Sequence, residues 1–242
     1  MNVFVKNSIR CFQRDEGRVD MNTKGIIGTK ITVMVVAVVV SIGLGMPEAK
    51  AIDLVKTQAA FKLSYAQEAV KNFFGAIATT KKLVASEPGL YEGALRLGYL
   101  YGITQSYPDS VAAYKKASSL KPEAVEPRLG LMGILGRLQK WDDVIQEGQN
   151  VLGIDPHNLS ALSQIAGAQY TKKNWAEAKT TYNKVLALYP ANLEMKLGHA
   201  WATFFEGDKK AALDEFNLIL TVSPGNARGL AGWRASSAKK KK

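Results

Sequence analysis

Residues 91–124 read YEGALRLGYLYGITQSYPDSVAAYKKASSLKPEA. Two apolar patterns lie in this stretch: Leu95, Tyr99 and Leu100, then Val111, Tyr114 and Leu120. Apolar residues three or four apart form one face of a helix, so the stretch predicts two helices joined by a short turn. Pro122 closes it, and that proline recurs. Pro88, Pro122, Pro156, Pro190 and Pro224 stand at one constant interval and account for five of the chain's 8 prolines. A proline lacks an N–H and is least costly just after a helix, so each should follow the second helix of a unit.

Other residues keep the same phase. An aromatic recurs at Phe73, Tyr107, Trp141 and Trp175, and a second stands before the phased proline at Tyr114, Tyr182 and Phe216. Thr80 and Gly148 interrupt the second series. Small residues at Ala76, Ser110, Ala178 and Ala212, with Gly98, mark where paired helices should approach closely. Asn158, Asn192 and Asn226 each stand two residues past a phased proline and suit the N-cap of the next helix. One such hairpin cannot cover its own apolar face, whereas a stack of them can. The expectation is therefore an all-α solenoid of about five repeats, with the phased aromatics in the core and turns.

This pattern resembles the tetratricopeptide repeat (TPR) family, in which a W-x2-L-G-x2-Y…A-x3-F…P motif spans two antiparallel helices in about 34 residues, the interval of the prolines here. Residues 91–124 carry it best, with Leu97, Gly98, Tyr101, Tyr114, Ala117 and Pro122. Residues 159–192 keep Ala178, Tyr182 and Pro190, and residues 193–226 keep Gly207, Ala212, Phe216 and Pro224. Residues 125–158 diverge, with Gly148 at an aromatic position, and residues 57–90 diverge most, with Lys71 in place of the usual turn glycine. The resemblance implies a right-handed superhelical solenoid over residues 52–226. Residues 227–242 would then hold a capping helix over residues 226–235, with Leu230 and Trp233 covering the last repeat, and a lysine-rich tail.

The ends of the chain carry most of its charge. The 242 residues have a net charge of +11, of which residues 1–51 supply +3 and the final Lys239, Lys240, Lys241 and Lys242 supply +4. The repeat body is only mildly basic, so no nucleic-acid partner is expected. Lys24 and Lys30 precede an apolar run at residues 31–46, ITVMVVAVVVSIGLGM, followed by Pro47 and Ala49-Lys50-Ala51. A basic lead, an apolar stretch and an A-x-A site form a secretory signal, with cleavage expected after Ala51 and the mature protein in the periplasm. The alternative is an uncleaved inner-membrane anchor, although the run is shorter than the roughly 20 residues a spanning helix uses. Met21 offers a second start within the leader. The lone cysteine, Cys11, also lies there, so the mature chain would contain no disulfide or cysteine-based metal site. The lysine tail is read as a solvated end, or alternatively as a contact for anionic lipid or polymer.

No catalytic motif is present, and neither an enzyme nor a bound cofactor or metal is expected. His157 falls in a turn and His199 on a helix face. The pairs Asp142-Asp143 and Asp214-Glu215 are adjacent on helices and so do not converge on one site. What remains is the concave groove that TPR folds use to bind proteins or peptides. The resemblance places Phe61, Tyr65, Leu95, Tyr99, Tyr170, Trp201, Phe204 and Phe205 in that groove. The carboxylate-clamping version of the groove uses Lys and Asn, whereas this chain has Leu95, Leu129, Ser163, Leu197, Tyr99, Gly133, Gly167 and Trp201 at the matching positions. The expected function is that of a protein-interaction scaffold or assembly factor in the cell envelope, reading an apolar or aromatic peptide. A membrane-anchored organiser is the alternative.

Overall fold

The computed structural model describes residues 53–238. The leader, the apolar run, the cleavage site and the lysine tail lie outside the described residues. Eleven helices follow one another within the described chain: α1 Leu54–Ala69, α2 Phe73–Ser86, α3 Tyr91–Ile103, α4 Tyr107–Leu120, α5 Glu126–Arg137, α6 Trp141–Ile154, α7 Leu159–Thr171, α8 Trp175–Leu188, α9 Leu193–Glu206, α10 Lys209–Val222 and α11 Ala227–Ser237. Five hairpins and a final single helix account for all of them, as the proline period predicts.

The helix ends show why the period exists. Glu87, Lys121, Asp155, Tyr189 and Ser223 are the C-caps of the five second helices, and the phased proline follows each of them directly. Asn158, Asn192 and Asn226 accept hydrogen bonds from the backbone N–H groups of Ala161, Met195 and Gly229, which are otherwise unpaired donors of the first turn. Asn72, Asp53 and Asp208 cap their helices in the same way. Within each hairpin the turn passes through one left-handed residue, and these keep the interval of the prolines: Lys71, Gln105, Gln139, Lys173 and Gly207, with φ from 58° to 113°. Only the last is glycine, the residue that takes this conformation without steric cost.

Each first helix from α3 onward touches the next first helix, while the second helices contact only the first helices beside them. A stack with that asymmetry curves with the first helices inside, so α3, α5, α7 and α9 line a concave face. Buried apolar side chains form a chain of small clusters from Ala76 to Ile219, three of them shared between neighbouring hairpins and two lying within one hairpin.

The joints between hairpins follow one rule. Each second helix sends a side chain between a position on its own first helix and a position on the next first helix, about half a repeat to either side. Tyr114 lies between Gly98 and Gly130, where an added Cβ would come within 2.6 Å and 2.5 Å of its ring. Tyr182 packs with Ala166 and against Gly198, and Phe216 packs with Ala200 and against Gly232. The two interruptions in the aromatic series are filled from elsewhere. At Gly148 the space is taken by Met132 and Ile165, whose atoms would meet an added Cβ at 2.9 Å and 2.5 Å. At Thr80 it is taken by Arg96, whose side chain is 6% exposed.

The cap differs from expectation in two respects. It runs through Ser237, and its contact face is Gly229, Gly232 and Ser236, which are buried. Leu230 is half-buried and Trp233 keeps 38% of its surface exposed, while the ring of Phe216 fills the space above Gly232.

Candidate functional site

The residues assigned to the groove fall into two clusters. In the first two hairpins, Phe61 and Tyr65 lie with ring centroids 6.5 Å apart, and the Arg96 guanidinium sits 4.0 Å from the Tyr65 ring. Arg96 Nη1 pairs with Glu68 Oε2 at 2.6 Å, its Nε donates to Ser64 Oγ at 3.2 Å and its Nη2 donates to the Ser64 carbonyl at 3.3 Å. Tyr99 donates its hydroxyl to Glu68 Oε1 at 2.7 Å, and Thr80 Oγ1 lies 3.0 Å from Ser64 Oγ. Burial and the neighbouring Glu68 carboxylate together raise the Tyr99 phenol well above its ordinary range. Tyr99 is therefore engaged with a buried polar network, Tyr65 lies against the guanidinium while 56% exposed, and Leu95 packs half-buried against the core. This network was not apparent in the sequence, where Arg96 reads as an ordinary helical charge.

In the last two hairpins, Tyr170, Trp201, Phe204 and Phe205 do come together. Trp201 and Phe205 stack at 5.6 Å, Phe204 meets both edge-on, and Tyr170 meets Phe205 edge-on at 6.1 Å. Phe205 is at the centre of this cluster, which also takes in a residue that sequence reasoning assigned to core or turn. Trp175, at the start of α8, stacks on Phe205 at 4.9 Å and meets Tyr170 at 5.1 Å. It is only half-buried, as its place in the phased aromatic series at a hairpin turn allows. Phe205 is 45% exposed, while Trp201 and Phe204 are half-buried and Trp201 also touches Phe216 in the core. The cluster is thus a partly wetted aromatic surface whose inner edge is rooted in the core. Lys209 lies over the Phe204 ring at 5.5 Å, and an ion pair between Lys179 and Glu206 at 2.5 Å flanks it.

Between the clusters the concave face is low. Gly133, Gly136 and Gly167 form the floor of an open depression of about 300 Å³, with Met132, Trp141, Gln164 and Thr171 around it. An added Cβ at Gly133 or Gly167 would meet nothing within 4 Å, so packing does not require glycine there. Ion pairs join Lys172 with Asp142 of the preceding repeat and Arg228 of the cap with Glu194, while Lys121 pairs with Glu92 within one repeat. Leu197, at a clamp position of the family, is fully buried.

His199 Nδ1 lies 2.7 Å from Glu215 Oε2, and Thr203 donates to the other carboxylate oxygen at 3.1 Å. This set joins α9 to α10. His157 is exposed at its turn. Among the described residues no group of three or more His, Cys, Asp or Glu side chains is placed to hold a metal.

A curved stack of antiparallel helix pairs, with a groove lined by the first helix of each pair, defines a helical-repeat solenoid. Residues 160–192 match the tetratricopeptide repeat family model. The described residues form an all-α helical-repeat solenoid of five such hairpins and a cap, and one of these hairpins carries the family match. No curated protein sequence matches it. Among solved structures it is similar to a MamA protein (TM-score 0.65, 18% identity, covering 72% of this chain and 94% of that one). It is also similar to a tetratricopeptide repeat protein from Parabacteroides merdae ATCC 43184 (TM-score 0.69, 16% identity, covering 75% and 72%). A third is YrrB, described as a TPR protein with an unusual peptide-binding site (TM-score 0.63, 14% identity, covering 71% and 89%). At these identities the likeness is one of fold.

Proposed function

We propose that the chain is a protein-interaction scaffold that binds a peptide segment along its concave face, anchored on the aromatic cluster of the last two repeats. The observation that carries this reading is Phe205. A large apolar ring left 45% exposed, yet fixed between Trp175 and Trp201, is ordered before any partner arrives. Preorganised aromatics of this kind are the usual anchors of an interface, because they bury much area for little loss of side-chain freedom. The glycine floor leaves room for a partner's backbone beside them. The peptide-binding description of YrrB, a protein of the same fold, supports the reading. The apolar groove positions point to an apolar or aromatic peptide rather than a clamped terminal carboxylate.

Phe205→Ala should weaken partner capture by about 2 kcal/mol, roughly thirtyfold, while lowering the melting temperature much less than truncation of a buried ring such as Tyr182. Affinity and melting are to be measured on the same purified variant, with a partner recovered by affinity capture from native envelopes. An unchanged affinity with a large fall in stability would return Phe205 to a packing role.

We further propose that this scaffold works in the cell envelope as an assembly factor. The support is the basic lead, the apolar run at residues 31–46 and the Ala49-Lys50-Ala51 site. N-terminal sequencing of the exported protein should then begin at Ile52. Mature protein that retains residues 35–40 in washed membranes would favour the anchored organiser instead.

A further inference from the structure

The two ends of the solenoid are finished differently. At the C-terminal end α11 turns Arg228, Arg234 and Ser237 outward, the polar cover that a repeat stack requires. At the other end α1 has no such cover. Val55, Ala59, Leu63, Ala66 and Val70 are spaced by steps of three or four along the helix, and all five are exposed. Spacing of this kind places them on one helical face. One period later, the corresponding Gly93, Leu97 and Leu100 pack against α2. The α1 stripe is therefore an interface surface without a preceding helix among the described residues. It continues into the turn, where Val70 is 76% and Phe74 80% exposed.

Charge identifies what this face suits. Residues 54–86 hold five lysines and one carboxylate, Glu68, which is tied to Arg96. Residues 87–238 hold sixteen basic and fifteen acidic side chains. The positive excess of the solenoid is thus concentrated in its first hairpin, with Lys62 inside the apolar stripe and Lys56 and Lys71 beside it. A further repeat is a poor occupant, because the repeat phase would set its second helix at residues 39–52, across Gly43, Gly45 and Pro47.

We infer that the exposed face of the first hairpin is a docking surface for an anionic phospholipid bilayer, with the apolar stripe and Phe74 at the acyl boundary and the lysines on the headgroup phosphates. Apolar side chains interleaved with lysine are the chemistry of an interfacial helix. The surface is separate from the groove, so a partner and a membrane can be held together.

The test uses a chain beginning at Ile52, which contains every buried apolar cluster of the fold. It should co-sediment with phosphatidylglycerol vesicles and not with phosphatidylcholine vesicles. Each lysine held at an anionic surface is worth about a factor of five, so Lys62→Gln with Lys71→Gln should weaken binding about twenty-five-fold. Glutamine is tolerated at the Lys71 turn, since Gln105 and Gln139 hold the same left-handed conformation. Phe74→Ser should weaken binding further, and an unchanged melting curve shows that these exposed positions leave the fold intact. Lys115→Gln with Lys116→Gln on α4, and truncation after Ala238, should leave most binding in place. Three results would each overturn the inference: no binding to phosphatidylglycerol, equal binding to both lipids, or an α4 pair as damaging as the first-hairpin pair.

Discussion

Tyr182→Ala is expected to destabilise the protein by about 3–5 kcal/mol, the cost of truncating a large buried aromatic where the surroundings cannot close in. Tyr182 is buried between α7 and α9, and burial pushes its phenol pKa up to about 12. Ala166 and Gly198 hold no atoms that could move into the space, so a cavity remains. Because the ring belongs to the joint between repeats, the damage should spread to both α7–α8 and α9–α10. Denaturant melts would show the loss, and hydrogen exchange would show its extent. A change below roughly 1 kcal/mol would mean that Tyr182 is not the wedge of that joint.

Arg96→Ala is expected to cost about 3 kcal/mol by a different route. It removes the cation of a buried pair and the donors to Ser64 Oγ and the Ser64 carbonyl, while Glu68 keeps only the Tyr99 hydroxyl. The effect should be confined to the first joint, so amides of α1 and α2 should exchange faster while those of α7 to α10 keep their protection. Transplanting the apolar solution, with Ser64→Ala, Thr80→Tyr and Arg96→Gly together, should recover most of the loss. Buried ion pairs are frequently replaced by well-packed apolar groups at no net cost. If Arg96→Ala melted like the parent, the network would be an ornament of the first repeat and Thr80 would need another explanation.

The proline period made the fold legible, because each phased residue does a local job. A proline follows each second helix, and an asparagine caps several of the first helices. Such jobs depend on residue type and leave a mark in the sequence. The left-handed turns at Lys71, Gln105, Gln139 and Lys173 left none, since lysine and glutamine do not announce that conformation. The gaps at Thr80 and Gly148 were visible, but not what fills them. Arg96 and Met132 come from neighbouring helices, half a repeat away, an offset that the repeat period does not display. The candidate site was partly legible for the same reason. Trp201, Phe204 and Phe205 share a helix, so their proximity follows from spacing. Trp175 stands on a different helix, nearly a full repeat before Phe205, and its phase alone suggested a buried turn residue. Tyr99 carried the aromatic signal but is tied to Glu68, while Tyr65 lies against Arg96 with more than half of its surface exposed.

The wedge rule also bears on how arrays of this kind gain and lose units by recombination. Excising residues 125–158, the unit counted from proline to proline, would keep the period but bring Gln164 to the ring of Tyr114 where Gly130 had been. Excising residues 131–164 removes the same length, keeps Gly98, Tyr114 and Gly130 together, takes out Met132 with Gly148, and sets Ile165 where Leu131 had been. The heritable module of this chain is therefore displaced from the structural hairpin, and crossovers that respect it exchange whole joints.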